Sequence, residues 1–120
     1  MTRILLIEDE EFTRQLIAEN LGAAGHEVLE AEDGDQAIKI LSHQKTDLVI
    51  TDIVMPNREG IETIRDISSN YPGMPIIAVS GNPTYLSLAD KLGADAVFCK
   101  PVNTSSLLAK IDELIARNRS

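Results

Sequence analysis

Hydrophobic and polar residues alternate along this chain in two kinds of segment, short aliphatic runs and longer amphipathic stretches. The aliphatic runs predict β-strands at Arg3–Ile7, His26–Ala31, Asp47–Thr51, Pro75–Val79 and Ala94–Cys99. Residues 4–7, 48–50 and 76–79 are continuously apolar, which is typical of strands buried on both faces. The run at 26–31 mixes polar and apolar residues and therefore suits an edge strand.

The stretches between these runs repeat apolar residues at helical spacing. They predict helices at Glu10–Ala23, Gly34–Ser42 and Gly60–Asn70, a fourth from Pro83 capped by Asn82, and a fifth from about Asn103 or Thr104. The residues predicted to share one face of the first helix are Phe12, Leu16, Ile17 and Leu21. Those predicted to point inward from the fourth helix are Tyr85, Leu88, Ala89 and Leu92.

Strands that alternate with helices form a parallel sheet with helices on both faces. The pattern therefore predicts an α/β fold, a flavodoxin-like three-layer sandwich with five helices. Its five-stranded parallel sheet is expected to have the order 2-1-3-4-5. With 120 residues, the chain is expected to form a single domain, residues 1–120.

Composition narrows the range of functions. The net charge of −8 argues against direct nucleic-acid binding, which needs clustered Lys and Arg. No apolar stretch approaches the roughly 18 residues that cross a membrane, and no leader pattern opens the sequence, so we expect a cytoplasmic protein without membrane contact. The single cysteine, Cys99, lies in a predicted strand and is interpreted as a small buried residue.

Polar residues follow four of the predicted strands at the point where each strand ends. They are Glu8-Asp9, Asp52, Ser80 and Lys100. Each residue alone has an ordinary interpretation as a helix cap or turn residue. Because the carboxyl ends of parallel strands share one edge of a sheet, the four together favour a common pocket.

The charges of that pocket predict a cation and an anionic ligand. Two unit charges about 4 Å apart repel by roughly 4 kcal/mol at an effective dielectric near 20. Glu8, Asp9 and Asp52 carry three negative charges, and Lys100 balances one of them. Mg²⁺, which prefers oxygen ligands, would balance the other two. A carboxylate in such a pocket could attack phosphorus and form an acyl phosphate.

The sequence resembles the receiver domain of bacterial two-component response regulators over nearly its whole length. The matching motifs are Glu8-Asp9, Asp52-Ile53-Val54-Met55-Pro56 followed by Glu59-Gly60, Ser80-Gly81, Gly93-Ala94-Asp95 and Lys100-Pro101. The resemblance implies that Asp52 is the phosphoacceptor and that Ser80 and Lys100 contact the phosphoryl oxygens. It also implies a cis peptide bond before Pro101.

The same resemblance implies a Mg²⁺ site formed by Asp9, Asp52 and the backbone carbonyl of Val54, with Glu8 acting through water. The implied partners are a sensor histidine kinase or a histidine phosphotransfer protein, docking near the first helix. A downstream protein would bind the surface of the fourth helix, fifth strand and fifth helix. Such a domain is a signalling module that promotes its own phosphorylation and dephosphorylation, rather than an enzyme acting on other substrates.

The sequence departs from the family pattern at two positions. Glu8 stands where many members carry Asp, and Val97 stands where an aromatic residue is usual. Phe98 is adjacent, but alternation along a strand sends it to the opposite face. Two alternatives stay open, a pseudo-receiver that works without phosphorylation and an aspartyl-phosphate phosphatase. The phosphatase would usually have a second aspartate where this chain has Val54.

Overall fold

A computed structural model describes residues 2–53 and 60–119, except for the side chains of residues 86 and 119. Within these ranges, strands and helices alternate as predicted. The strands are β1 (Arg3–Ile7), β2 (Glu27–Ala31), β3 (Leu48–Asp52), β4 (Ile76–Ser80) and β5 (Ala96–Cys99). The helices are α1 (Glu11–Ala23), α2 (Gly34–His43), α3 (Gly60–Asn70), α4 (Pro83–Lys91) and α5 (Thr104–Arg119).

The strands form one parallel sheet in the order β2-β1-β3-β4-β5. This confirms the predicted order and places β2 at an edge. The register pairs Asp52 with Val79 and Ser80 with Cys99, so the last residues of β3, β4 and β5 lie side by side. The carboxyl ends of the strands therefore share one edge, as the site prediction requires.

Helices cover both faces of the sheet. Successive residues of β1 point to opposite faces, so that Leu5 lies in one apolar cluster and Leu6 in the other. The first cluster includes buried residues of α2, α3 and α4: Ala37, Leu41, Ile64, Ile67 and Ala89. The second includes buried residues of α1 and α5: Leu21, Leu107, Ile111, Leu114 and Ile115. These three layers confirm the flavodoxin-like sandwich.

The bounds of the elements differ slightly from the prediction. β2 begins one residue later than predicted, β5 begins two residues later, and β3 and β4 are displaced by one residue. Asp52 and Ser80 are consequently the last residues of their strands rather than loop residues. α1 begins at Glu11 because Glu10 is its N-cap, with a carboxylate that accepts from the N–H groups of Phe12 and Thr13.

Five apolar residues are exposed although the sequence analysis placed them on one apolar face of α1, inward on α4 or buried in β5. The five residues are Phe12 (68% exposed), Leu16 (49%), Leu88 (43%), Tyr85 (39%) and Cys99. The inward and buried predictions for α4 and β5 were wrong, and so was the single apolar face predicted for α1. Phe12 and Leu21 are nine residues apart, which is about two and a half turns, so the exposed Phe12 lies on the side of α1 opposite the buried Leu21. On α4, the spacing identified the apolar face but not how much of that face is covered. Cys99 ends the edge strand β5, where every second side chain faces the exposed side.

No helix in the described ranges is both long enough and apolar enough to cross a membrane.

Candidate functional site

Lys100 connects two of the predicted acidic residues at the carboxyl edge of the sheet. Its Nζ donates to Glu8 Oε1 at 2.7 Å and to Asp52 Oδ2 at 3.0 Å. The Lys100 N–H also donates to the carbonyl of Ser80 at 3.0 Å, which aligns the end of β5 with the end of β4. The peptide bond between Lys100 and Pro101 is cis, as the resemblance implies.

The three predicted acidic residues lie together. One carboxylate oxygen from each of Glu8, Asp9 and Asp52 lies within 4.8 Å of the others. Glu8 and Asp52 are buried, whereas Asp9 is exposed at the mouth of the site. Three oxygen donors with one exposed member suit a hard cation that keeps part of its water shell. Val54, the fourth predicted ligand, lies outside the described residues.

Burial perturbs the ionisation of this cluster. It raises the pKa of Glu8 from 4.5 to about 7, and the negative charge of Asp52 adds to this rise. The hydrogen bonds that Glu8 accepts from Lys100 and from the Glu10 N–H oppose the rise. Burial by itself would lower the pKa of Lys100, but hydrogen bonds to Glu8 and Asp52 raise it overall. Lys100 therefore stays charged at neutral pH.

Ser80 occupies the predicted position at the end of β4 and is 2% exposed. Its Oγ accepts the N–H of Asn82 at 3.0 Å, and the Asn82 side chain in turn accepts the N–H of Thr84. Asn82 thus caps α4, as predicted. The bond from Asn82 does not use the proton of the Ser80 hydroxyl, so that proton can be donated elsewhere.

Val97 and Phe98 point to opposite faces of β5, as predicted. Val97 is 38% exposed. Phe98 is partly buried against the second apolar cluster, under α1 and α5. Phe98 is therefore not placed to act on the exposed face in place of Val97.

A groove of about 420 Å³ between α1 and α5 reaches Lys100. It is mainly apolar, and its lining residues are Thr13, Leu16, Ile17, Asn20, Lys100, Pro101, Val102, Thr104 and Leu107. Leu16, which is exposed, is one of these lining residues, and Phe12, the other large exposed apolar residue of α1, precedes the lining residue Thr13. The site thus combines a charged centre with an apolar border.

Sequence reasoning missed one residue of this region, Arg14. It is 8% exposed and donates to the backbone carbonyl of Glu8 at 3.0 Å. A signal was present, because Arg14 precedes Ile17 by three residues and Leu21 by seven, which places it on the inner stripe of α1.

Comparisons with known proteins agree with this geometry. The family model described as response regulator receiver domain matches residues 4–112. A CheY-like receiver domain protein from Methanospirillum hungatei is 29% identical with a TM-score of 0.93, and the match covers 99% of this chain and 97% of that one. The response regulator TrrA from Thermotoga maritima, solved in complex with Mg²⁺ and BeF, is 35% identical with a TM-score of 0.89, covering 95% and 99%.

A third structure, the chemotaxis protein CheY4 of Vibrio cholerae, is 28% identical with a TM-score of 0.87, covering 95% of this chain and 98% of that one. Since the family model spans residues 4–112 and the strand order agrees with the fold predicted for such domains, this chain belongs to the response regulator receiver domain family of two-component signalling.

Proposed function

We propose that residues 1–120 act as a single phosphoacceptor receiver domain in which Asp52 accepts a phosphoryl group from a phosphohistidine. One observation carries this proposal. Lys100 Nζ contacts Asp52 and Glu8, which are 48 and 92 residues away in the sequence, at the one edge where the strands end. A buried carboxylate beside a lysine ammonium and a second acidic residue has the components needed for phosphoryl transfer.

The proposed reaction is a displacement at phosphorus. An oxygen of the Asp52 carboxylate attacks the phosphorus of the phosphohistidine, and the P–N bond breaks. The bonding electron pair returns to the imidazole nitrogen, and an acyl phosphate forms on Asp52. Lys100 offers its positive charge, and Ser80 its hydroxyl proton, to the oxygens of the incoming group. Later attack by water on the same phosphorus would restore the carboxylate and release inorganic phosphate.

The acidic cluster fits Mg²⁺ through the chemistry of its donors. Three carboxylates lie within 4.8 Å of one another, and their charges exceed that of Lys100. We propose that Asp9 and Asp52 bind the ion directly and that Glu8 binds it through water, with the Val54 carbonyl predicted as a further ligand. When bound, Mg²⁺ supplies positive charge that offsets the carboxylates and the phosphoryl oxygens. The structure of TrrA in complex with Mg²⁺ and BeF supports the proposal of a Mg²⁺ site in this chain.

The border of the site suits a protein donor. Phe12 is 68% exposed, and Gln15 is exposed beside it on α1. Thr13 lines the apolar groove that reaches Lys100. An apolar surface next to a charged centre is typical of a protein interface, whereas a small donor needs only the centre. We therefore propose that a histidine kinase or histidine phosphotransfer protein docks on this part of α1.

The proposed output surface is α4, β5 and α5. If the Ser80 hydroxyl turns toward the phosphoryl group, the bond that it accepts from Asn82 must change. Asn82 caps α4, so this change would act directly on the start of that helix. Tyr85, Leu88 and Val97 expose apolar surface on α4 and β5 that a downstream protein could cover. The side chain of Leu86, predicted to join this surface, lies outside the described residues.

The decisive test is incubation with acetyl phosphate or phosphoramidate and Mg²⁺, followed by intact mass spectrometry. We expect a gain of one phosphoryl group in the wild type and in Asp112→Asn, a matched control at an exposed position of α5. Asp52→Asn should show no gain. A wild type that gains nothing from either donor would favour the pseudo-receiver, and sustained hydrolysis of phosphate esters would favour the phosphatase. The cytoplasmic location stays a prediction.

A further inference from the structure

Arg14 is a buried charged residue that the proposed phosphoryl transfer does not use. It lies in the second turn of α1 and is 8% exposed, whereas its neighbour Gln15 is exposed. Arginine side chains are rarely buried unless they are paired. The partners of Arg14 therefore indicate its role.

The guanidinium of Arg14 bonds in two directions. Its Nη1 donates to the backbone carbonyl of Glu8 at 3.0 Å, and this bond is buried. Its Nε donates to Glu30 Oε1 at 3.2 Å, and Nη2 lies 3.9 Å from Glu32 Oε1. Arg14 thus ties the end of β1 to the end of β2 and the residues that follow it.

The N–H, the carbonyl and the carboxylate of Glu8 all take part in hydrogen bonds. Its N–H donates to the carbonyl of Ala31 at 3.0 Å, and its carboxylate accepts from Lys100 and from the N–H of Glu10. Arg14 holds the remaining polar group, the carbonyl oxygen. That oxygen belongs to the peptide unit joining Glu8 to Asp9. Because a peptide unit is planar, fixing its oxygen also fixes the direction in which the chain leaves toward Asp9.

We propose that Arg14 is a positioning residue for the Mg²⁺ site, which orients Asp9 by holding the peptide unit between Glu8 and Asp9. The inference rests on the proposed function of the acidic cluster. Arginine suits this task because its planar fork can bond a carbonyl and a carboxylate at once, whereas the ammonium of lysine acts as a point charge. Groups that orient metal ligands typically change metal affinity by about 10-fold to 100-fold when they are replaced.

A role in positioning and a role as a nearby charge predict opposite results. If Arg14 acted only through its positive charge, removing that charge would favour a bound cation and tighten Mg²⁺ binding. If Arg14 positions Asp9, then both Arg14→Lys and Arg14→Ala weaken binding. Arg14→Lys also keeps the charge, so any loss in that variant comes from geometry.

The chain offers a matched control at the opposite end of the same two strands. Arg3 Nε donates to Glu27 Oε2 at 2.8 Å, and Arg3 Nη1 donates to the carbonyl of Lys45 at 3.2 Å. Arg3 therefore joins a glutamate of β2 and a backbone carbonyl, as Arg14 does, but far from the acidic cluster. Arg3→Lys therefore removes the same kind of contacts between strands at a site away from the metal ligands, and it should leave Mg²⁺ affinity unchanged.

The experiment is isothermal titration of Mg²⁺ into the metal-free wild type, Arg14→Lys, Arg14→Ala and Arg3→Lys. Thermal unfolding in EDTA shows whether each variant is folded. We expect Arg14→Lys to bind Mg²⁺ about 10-fold more weakly than the wild type, and Arg3→Lys to bind it as the wild type does. In phosphorylation by acetyl phosphate, Arg14→Lys should need about 10-fold more Mg²⁺ than the wild type to reach half of its own maximal rate.

The possible failures are distinguishable. Wild-type affinity or tighter binding in folded Arg14→Lys would overturn this inference alone, and so would an equal loss of affinity in Arg3→Lys. A lowered maximal rate with unchanged Mg²⁺ affinity would also overturn it. A wild type that binds no Mg²⁺ would overturn the proposed metal site, and the inference with it.

Discussion

Replacing Glu8 by glutamine is expected to stabilise the metal-free protein above neutral pH. Burial raises the pKa of Glu8 from 4.5 to about 7 in the folded chain. The folded state therefore binds this proton more tightly than the unfolded state does. The resulting contribution to the free energy of unfolding is present in full below pH 4.5, and it is lost as pH rises through about 7.

The size of the effect follows from that pKa difference. Each tenfold change in proton affinity corresponds to about 1.4 kcal/mol, so the rise to about 7 is worth at most about 3 kcal/mol. Glutamine keeps an oxygen that can accept from Lys100, but it loses the acceptor for the Glu10 N–H. Between pH 4.5 and pH 8, the stability of Glu8→Gln relative to the wild type should therefore rise by up to about 3 kcal/mol. Because the bond from the Glu10 N–H is lost, the variant should be no more stable than the wild type near pH 4.5.

The assay is urea unfolding in EDTA, followed by far-UV circular dichroism at several pH values between about 4.5 and 8. The control is Glu10→Gln. The hydrogen bond from Thr13 lowers the pKa of Glu10, so the charged form of Glu10 stabilises the folded state, whereas at Glu8 the protonated form does. Glu10→Gln should lose stability and keep the wild-type dependence on pH between 4.5 and 7. The reasoning would be refuted if the wild type lost no stability between about pH 4.5 and 8, or if Glu8→Gln lost as much stability as the wild type over that range.

Five further substitutions, two of them controls, test the packing around the site and its charge. A Cβ on Gly60 would collide with the backbone at the end of β3, so Gly60→Ala should lose about 1–3 kcal/mol in urea unfolding. A Cβ added to Gly22 would have no atom within 4 Å, so Gly22→Ala should be neutral or gain up to about 1 kcal/mol. An equal loss of stability in Gly60→Ala and Gly22→Ala would contradict the predicted collision. Phe98→Ala should cost more stability than Val97→Ala, because Phe98 packs under α1 and α5 while Val97 is 38% exposed. A larger loss in Val97→Ala would show that the two faces of β5 are misassigned. Lys100→Met removes a charge-assisted hydrogen bond worth about 1.5–3 kcal/mol. Phosphorylation by acetyl phosphate at saturating Mg²⁺, followed by mass spectrometry, should therefore slow by roughly 10-fold to 100-fold. An unchanged rate would show that Lys100 takes no part in the mechanism.

The pattern of apolar residues predicted the fold because each strand and helix signals its own type locally. Continuous aliphatic runs identified the central strands, and helical spacing identified the layers on either side. It was less accurate about which apolar residues of a helix are covered by the rest of the fold. Tyr85 and Leu88 look inward-facing by spacing, yet both are exposed on α4. Arg14 shows the converse, since a charged residue on an inner stripe is buried only if partners reach it.

The sequence by itself determined how strands and helices follow one another along the chain and which polar residues end the strands. Both depend on residues that are close together along the chain. Only the tertiary structure decided that Lys100 bonds Glu8 and Asp52, and that Arg14 holds the Glu8 carbonyl. It also decided the raised pKa of Glu8. The contacts of Lys100 join it to residues 48 and 92 positions away in the sequence. The pKa of Glu8 depends on its burial. Packing of the whole sheet and its helices sets such quantities, and no local pattern in the sequence encodes them.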